Sequence, residues 1–209
     1  MKTDKLIQIG CIGDSITAGT GLENPKQEAF PSQLEMLLQN NVTVFNFGDG
    51  GKTMRGDLGI DSYTNSRTYQ ALLETADSLD IVTVMLGTND AYHAKGWTET
   101  EKNTYRNDCK ALFGILQKKN PSVKFVLMNS PECFGEKVYR YDMISLRKLQ
   151  SELAEALNQA GFKTCFMDMY SVTKSLEAHF PDQLHPDATA HRLMAEALGT
   201  VIEKLIRIG

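Results

Sequence analysis

The sequence predicts an α/β fold of three layers, a parallel sheet covered by helices on both faces. Three observations carry this. Short apolar runs alternate with longer amphipathic ones along the chain. The short runs are rich in Val, Ile or Phe and apolar at successive positions, as strands buried on both faces are. Polar segments follow the strands, at the end of the sheet where such folds hold their ligands.

The first strand is expected over 6–12, the run Leu6-Ile7-Gln8-Ile9-Gly10-Cys11-Ile12. A helix follows whose first turn suits Pro31 and which carries Leu34, Leu37 and Leu38. Strands are predicted next over 42–47, 80–86, 123–128 and 163–168. Helices are predicted over about 67–78, 99–119, 142–160 and 187–206. In the last of these, Leu193, Ala197, Val201 and Leu205 lie four apart and define one apolar face. No repeat, low-complexity segment or linker interrupts the series.

A chain of 209 residues suffices for one domain, 1–209, with a substantial core. The net charge of −4 is mild, and no block of Lys or Arg marks a nucleic-acid surface. The longest near-continuous apolar stretch, Ile81 to Gly87, is far too short to span a bilayer. Cys11, Cys109, Cys133 and Cys165 show neither metal-ligand nor Cys-x-x-Cys spacing, so scattered free thiols are expected. The opening Met1-Lys2-Thr3-Asp4-Lys5 has no signal-peptide pattern. A reducing, cytoplasmic setting is the expectation.

The residues that suit chemistry sit just after the strands. Gly13-Asp14-Ser15-Ile16-Thr17 follows the first, Asn46 to Thr53 the second, and Gly87-Thr88-Asn89-Asp90 the third. Asp182-Gln183-Leu184-His185-Pro186 follows the fifth. A serine hydroxyl needs a base to become a nucleophile, and His185 is the candidate. A histidine base needs a carboxylate to orient its ring and stabilise its cation, and Asp182, three residues upstream, suits that. A tetrahedral intermediate needs donors for its oxyanion. The candidates are the backbone N–H groups of Ser15 and Gly48 and the side-chain amide of Asn89.

These four segments, in this order over nearly the whole chain, resemble the SGNH, or GDSL-type, esterase and lipase superfamily. The match to Gly-Asp-Ser-Leu has Ile16 in the last place, and Gly50 and Ala190 stand where many relatives have serine and glycine. The resemblance implies a flavodoxin-like sheet of five parallel strands in the order 2-1-3-4-5. It implies a catalytic triad of Ser15, Asp182 and His185, an oxyanion hole of Ser15, Gly48 and Asn89, and no cofactor. The run from Gly21 to Pro31 resembles the bacterial branch that holds carbohydrate O-acetylesterases. The implied substrate is a small ester, an acylated sugar with a short acyl group. Lysophospholipase and thioesterase activities stand as alternatives. A catalytically idle carbohydrate-binding module is a third, against which the intact Ser15, Asp182 and His185 argue.

Asp14, Tyr92, Trp97, Phe134 and Arg140 are candidate substrate contacts, since each lies on the active-site side of the sheet. The 131–141 segment is expected to form part of the pocket wall, with ordinary loop packing as the alternative. His93, His179 and His191 have no metal-ligand spacing to acidic residues, and no metal is expected. Gly50-Gly51-Lys52-Thr53 is reminiscent of a phosphate-binding loop, but that pattern needs glycine at position 46, where Asn46 stands.

Overall fold

A computed structural model describes residues 6–39, 41–94, 96–139 and 141–207. Strand β1 (Ile7–Gly13) is followed by the short helices α1 (Ser15–Ala18) and α2 (Pro25–Glu28) and by α3 (Phe30–Leu38). Then come β2 (Val42–Gly48), α4 (Arg67–Thr75), β3 (Ile81–Met85), α5 (Thr88–His93) and α6 (Glu99–Lys119). The chain continues through β4 (Lys124–Met128), α7 (Met143–Gln159), β5 (Thr164–Met167), α8 (Met169–Thr173) and α9 (Ala188–Arg207). The sheet has five strands in the order β2-β1-β3-β4-β5, all parallel.

Local chemistry sets the helix ends. Thr98 opens α6 with a reciprocal cap: its hydroxyl accepts the Glu101 N–H (3.2 Å), and the Glu101 carboxylate accepts the Thr98 N–H (2.8 Å). Asp142 opens α7 by accepting the Ser145 N–H (3.1 Å).

Alternation along the strands divides the core between the two faces. Ile9, Cys11, Ile81, Met85, Val126 and Met128 pack against Phe30 and Leu34 of α3 and Met194, Leu198 and Ile202 of α9. Ile12, Val82, Val84, Phe125 and Leu127 pack on the other face, with Leu72 of α4, Phe113 of α6 and Leu149 of α7. The core stripe of α9 therefore runs through Met194, Leu198 and Ile202. The predicted row lies beside it: Leu193 is 36% exposed, and Ala197, Val201 and Leu205 only flank the core. Of the three leucines predicted on that helix, Leu34 is buried, Leu38 flanks the core and Leu37 is exposed. The edge strand β2 is largely half-buried, and Glu35 accepts its Val44 N–H (2.7 Å), so that edge group is not left open.

This topology decides where a site forms. From β1 the chain goes to one side for β2 and to the other for β3, which opens a crevice above the carboxyl ends of β1 and β3. Among the described residues no helix is long and apolar enough to cross a membrane. No group of three or more His, Cys, Asp or Glu among them is placed to hold a metal ion.

Candidate active site

Ser15 is the first residue of α1, immediately beyond β1. Asp14 precedes it as the cap, its carboxylate accepting the Ile16 N–H (3.0 Å). Asp14 is 1% exposed, and burial pushes its carboxyl up to about 6 against the pull of the Ile16 N–H, the Thr88 hydroxyl and His185. It lies beneath the serine turn and is closed to substrate, which corrects its reading as a substrate contact.

The segment after α8 brings two more groups to Ser15. His185 Nε2 is 3.0 Å from Ser15 Oγ, and His185 Nδ1 is 2.6 Å from Asp182 Oδ2. Asp182 Oδ1 accepts the backbone N–H groups of His185 (2.7 Å) and Leu184 (3.0 Å). Partial burial pushes the Asp182 carboxyl up, but these N–H groups and the His185 ring outweigh it and hold the group below the usual carboxylate range. With the Nδ1 proton donated to Asp182, Nε2 is left as acceptor for the Ser15 hydroxyl.

The segment after β2 is tied down from α5. The buried Asp90 carboxylate accepts the N–H groups of Met54 (2.8 Å) and Arg55 (2.9 Å). Burial pushes Asp90 up to about 7, against the pull of those N–H groups and of the Arg55 guanidinium. One residue earlier, Asn89 donates one amide N–H to the Lys52 carbonyl (3.0 Å), which fixes the amide, and its second N–H has no partner among the described residues.

Gly48 does not have the position expected of an oxyanion donor. Its N–H is spent on the Asn46 side-chain oxygen (2.9 Å). A β-carbon there would come within 2.3 Å of the Ala18 nitrogen, so glycine serves the packing of β2 on α1. The turn two residues on lies against the serine: a β-carbon at Gly50 would be 3.9 Å from the Ser15 β-carbon. Gly51 sits third in this Asp49–Lys52 turn with φ +74, a conformation that favours glycine. Among the described residues the N–H groups of Ser15 and Gly51 have no hydrogen-bond acceptor.

The aromatic candidates separate. Trp97 is 2% exposed, donates its indole N–H to the Asp142 carbonyl (3.2 Å) and packs edge-on to Tyr105. It belongs to the core, because the start of α7 covers it. Phe134 is also buried and packs edge-on to Phe180 behind the 182–185 segment. Tyr92 is 51% exposed, one turn beyond Asn89, with its ring 5.3 Å from that of Tyr141. Arg140 lies outside the described residues.

Fold and site together define a three-layer α/β protein in which a serine just beyond β1 and a histidine–aspartate pair on one later loop form one hydrogen-bonded chain. The model of the GDSL-like lipase/acylhydrolase family matches residues 11–193, and the chain belongs to that family, one of carboxylic ester hydrolases. An acetylxylan esterase from Xylanibacter ruminicola is 37% identical over 87 residues, which are 41% of this chain and 17% of that relative. A solved structure of a putative arylesterase from Agrobacterium tumefaciens is 26% identical with a TM-score of 0.73, over 95% of this chain and 99% of that one. A carbohydrate acetylesterase from Sinorhizobium meliloti has the same fold, with 20% identity, a TM-score of 0.73, and coverage of 95% and 99%.

Proposed function

We propose that the chain is a serine esterase that removes short acyl groups, acetyl foremost, from a carbohydrate through an acyl-enzyme. The observation that carries this reading is the continuous chain Ser15 Oγ, His185 Nε2, His185 Nδ1, Asp182 Oδ2. Ser15 attacks the ester carbonyl as His185 takes its proton. His185 then protonates the departing alcohol, and water, activated by the same ring, releases the acid. Asp182 holds the ring and stabilises its cation. The oxyanion is assigned to the Ser15 N–H, the free N–H of Asn89 and the Gly51 N–H, with Gly51 in the place first expected of Gly48. Family membership supports the acyl chemistry. The relatives named as acetylxylan esterase and carbohydrate acetylesterase support an acetylated sugar as substrate.

Hydrolysis of p-nitrophenyl acetate by the wild type and by Ser15→Ala tests the reading. The variant is expected to lose several orders of magnitude in kcat at unchanged Tm, and a fluorophosphonate to label Ser15 alone. Activity surviving in Ser15→Ala, or label on another serine, removes the assignment. An acyl series from acetate to octanoate tests the short-acyl half. Rates rising steadily with chain length would move the reading to a lysophospholipase.

A further inference from the structure

We propose that Gln183 is a positioning residue, a staple between the turn at 134–136 and the loop that carries Asp182 and His185, holding both in line with Ser15. The proposal rests on the serine-esterase reading and adds to it a residue and a segment that the reading does not use.

The loop is closed at its base. His179 Nδ1 is 2.9 Å from Asp187 Oδ2, and the Asp187 N–H donates to the His179 carbonyl (2.9 Å). Seven residues, 180–186, project from that clasp. Within them, Asp182 and His185 hydrogen-bond to each other, and that pairing alone does not fix where the loop points.

Gln183 stands between the two, with φ +69. A side chain other than Gly, Asn or Asp is uncommon in this left-handed region and persists where its surroundings hold it. Two hydrogen bonds converge on this one residue from the neighbouring segment. Its carbonyl accepts the Phe134 N–H (2.9 Å), and its side-chain Oε1 accepts the Glu136 N–H (3.2 Å). Between those donors is Gly135, with φ +53, where a β-carbon would come within 2.5 Å of the Gln183 amide. Glycine there lets the amide lie against the backbone. The Phe134 ring, edge-on to Phe180 at 4.9 Å, adds an apolar contact at the start of the same loop. The 134–136 turn thus meets the 180–185 loop at three points, two of them on the residue next to Asp182. A shift of an ångström at a catalytic base costs rate without altering how substrate binds.

The test uses the full chain, with kcat and KM for p-nitrophenyl acetate, the rate of fluorophosphonate labelling at Ser15, and Tm. Gln183→Ala, which removes the Oε1 bond and leaves the backbone bond, is expected to lower kcat and the labelling rate together by roughly 10- to 100-fold. KM and Tm should hold. Gln183→Glu keeps an acceptor for the Glu136 N–H and should recover most of the activity. Gly135→Ala, which forces the amide away while Gln183 itself is unchanged, should reproduce the kcat loss. Wild-type kcat in Gln183→Ala overturns the proposal, as do a Glu variant no better than Ala and a loss of rate that tracks a loss of Tm. Ser15→Ala separates the two failures. Activity surviving in it removes the esterase reading and the staple with it, whereas a dead Ser15→Ala beside a fully active Gln183→Ala overturns the staple alone.

Discussion

In the proposed oxyanion hole, Asn89 divides one amide between two tasks. One N–H goes to the Lys52 carbonyl and holds the plane of the group, so the other is fixed before any substrate arrives. Fixed donors matter because they need no reorganisation as charge develops on the substrate oxygen. Asn89→Ala is therefore expected to cost roughly 10²–10³ in kcat, measured on p-nitrophenyl acetate, with KM little changed. A loss under about threefold would make Asn89 only the anchor of the Lys52 loop. The same scale shows where single residues can be read from sequence and where they cannot. The hydrogen-bonded grouping of Ser15, Asp182 and His185 is legible in the sequence because each residue type supplies chemistry the others need. Gly48 is not, because three glycines stand within four residues and only the hydrogen-bond pattern tells which N–H is already occupied. Trp97 obeys a similar limit: its position beyond β3 is on the active-site side, but the covering contact comes from Asp142, 45 residues later.

Elements were legible in extent more than in facing. The predicted helix 99–119 forms as Glu99–Lys119, since its Thr98 cap and the Asn120-Pro121 stop are local signals. The strands formed within about a residue of expectation for the same reason. On α9 the predicted apolar row flanks the core stripe, because a broad apolar face contains several rows four apart, and which row is central depends on where the sheet lies. A second tertiary feature beyond sequence reach is the tie between α5 and the loop after β2. The turn carrying Gly51 leads directly into Met54 and Arg55, whose N–H groups both end on Asp90. Asp90→Asn replaces one acceptor oxygen with a donor and leaves one of those N–H groups buried without a partner. The expected cost is about 1–3 kcal/mol of stability by urea denaturation. A fall in kcat should accompany it, as the glycine turn loosens beside Ser15. Wild-type stability in that variant would mean the loop is held by its own contacts, such as the Tyr63 hydroxyl on the Phe47 carbonyl.

Across the whole molecule, the parallel order puts the carboxyl end of every strand on one side, so loops distant in sequence meet there, while the helices behind hold the sheet. One of the closest ties on that supporting side joins α3 to α9. His191 of α9 is fully buried, stacks near Phe30 and accepts the Phe30 N–H on Nδ1 (3.1 Å). An acceptor nitrogen must be unprotonated, and burial lowers the ring's pKa to about 4, against the opposing pull of Asp187. The folded pKa thus lies below the unfolded value near 6.5, so the unfolded chain binds the proton first. The stability His191 contributes is fully present above about pH 6.5 and is lost as pH falls from there toward 4. Asp14 and Asp90, with raised pKa values, run the other way over part of the same window, because the folded state takes their protons first. The total stability curve therefore mixes opposing slopes, and a difference between two chains isolates the histidine. His191→Gln keeps a side-chain acceptor but removes the titration. Its stability deficit relative to wild type should shrink, or reverse, by about 2–3 kcal/mol between pH 7 and pH 4.5, measured by urea denaturation at each pH. A difference constant across that range would mean that the ring titrates alike in the folded and unfolded chains, and that the contact between α3 and α9 does not exclude its protonated form.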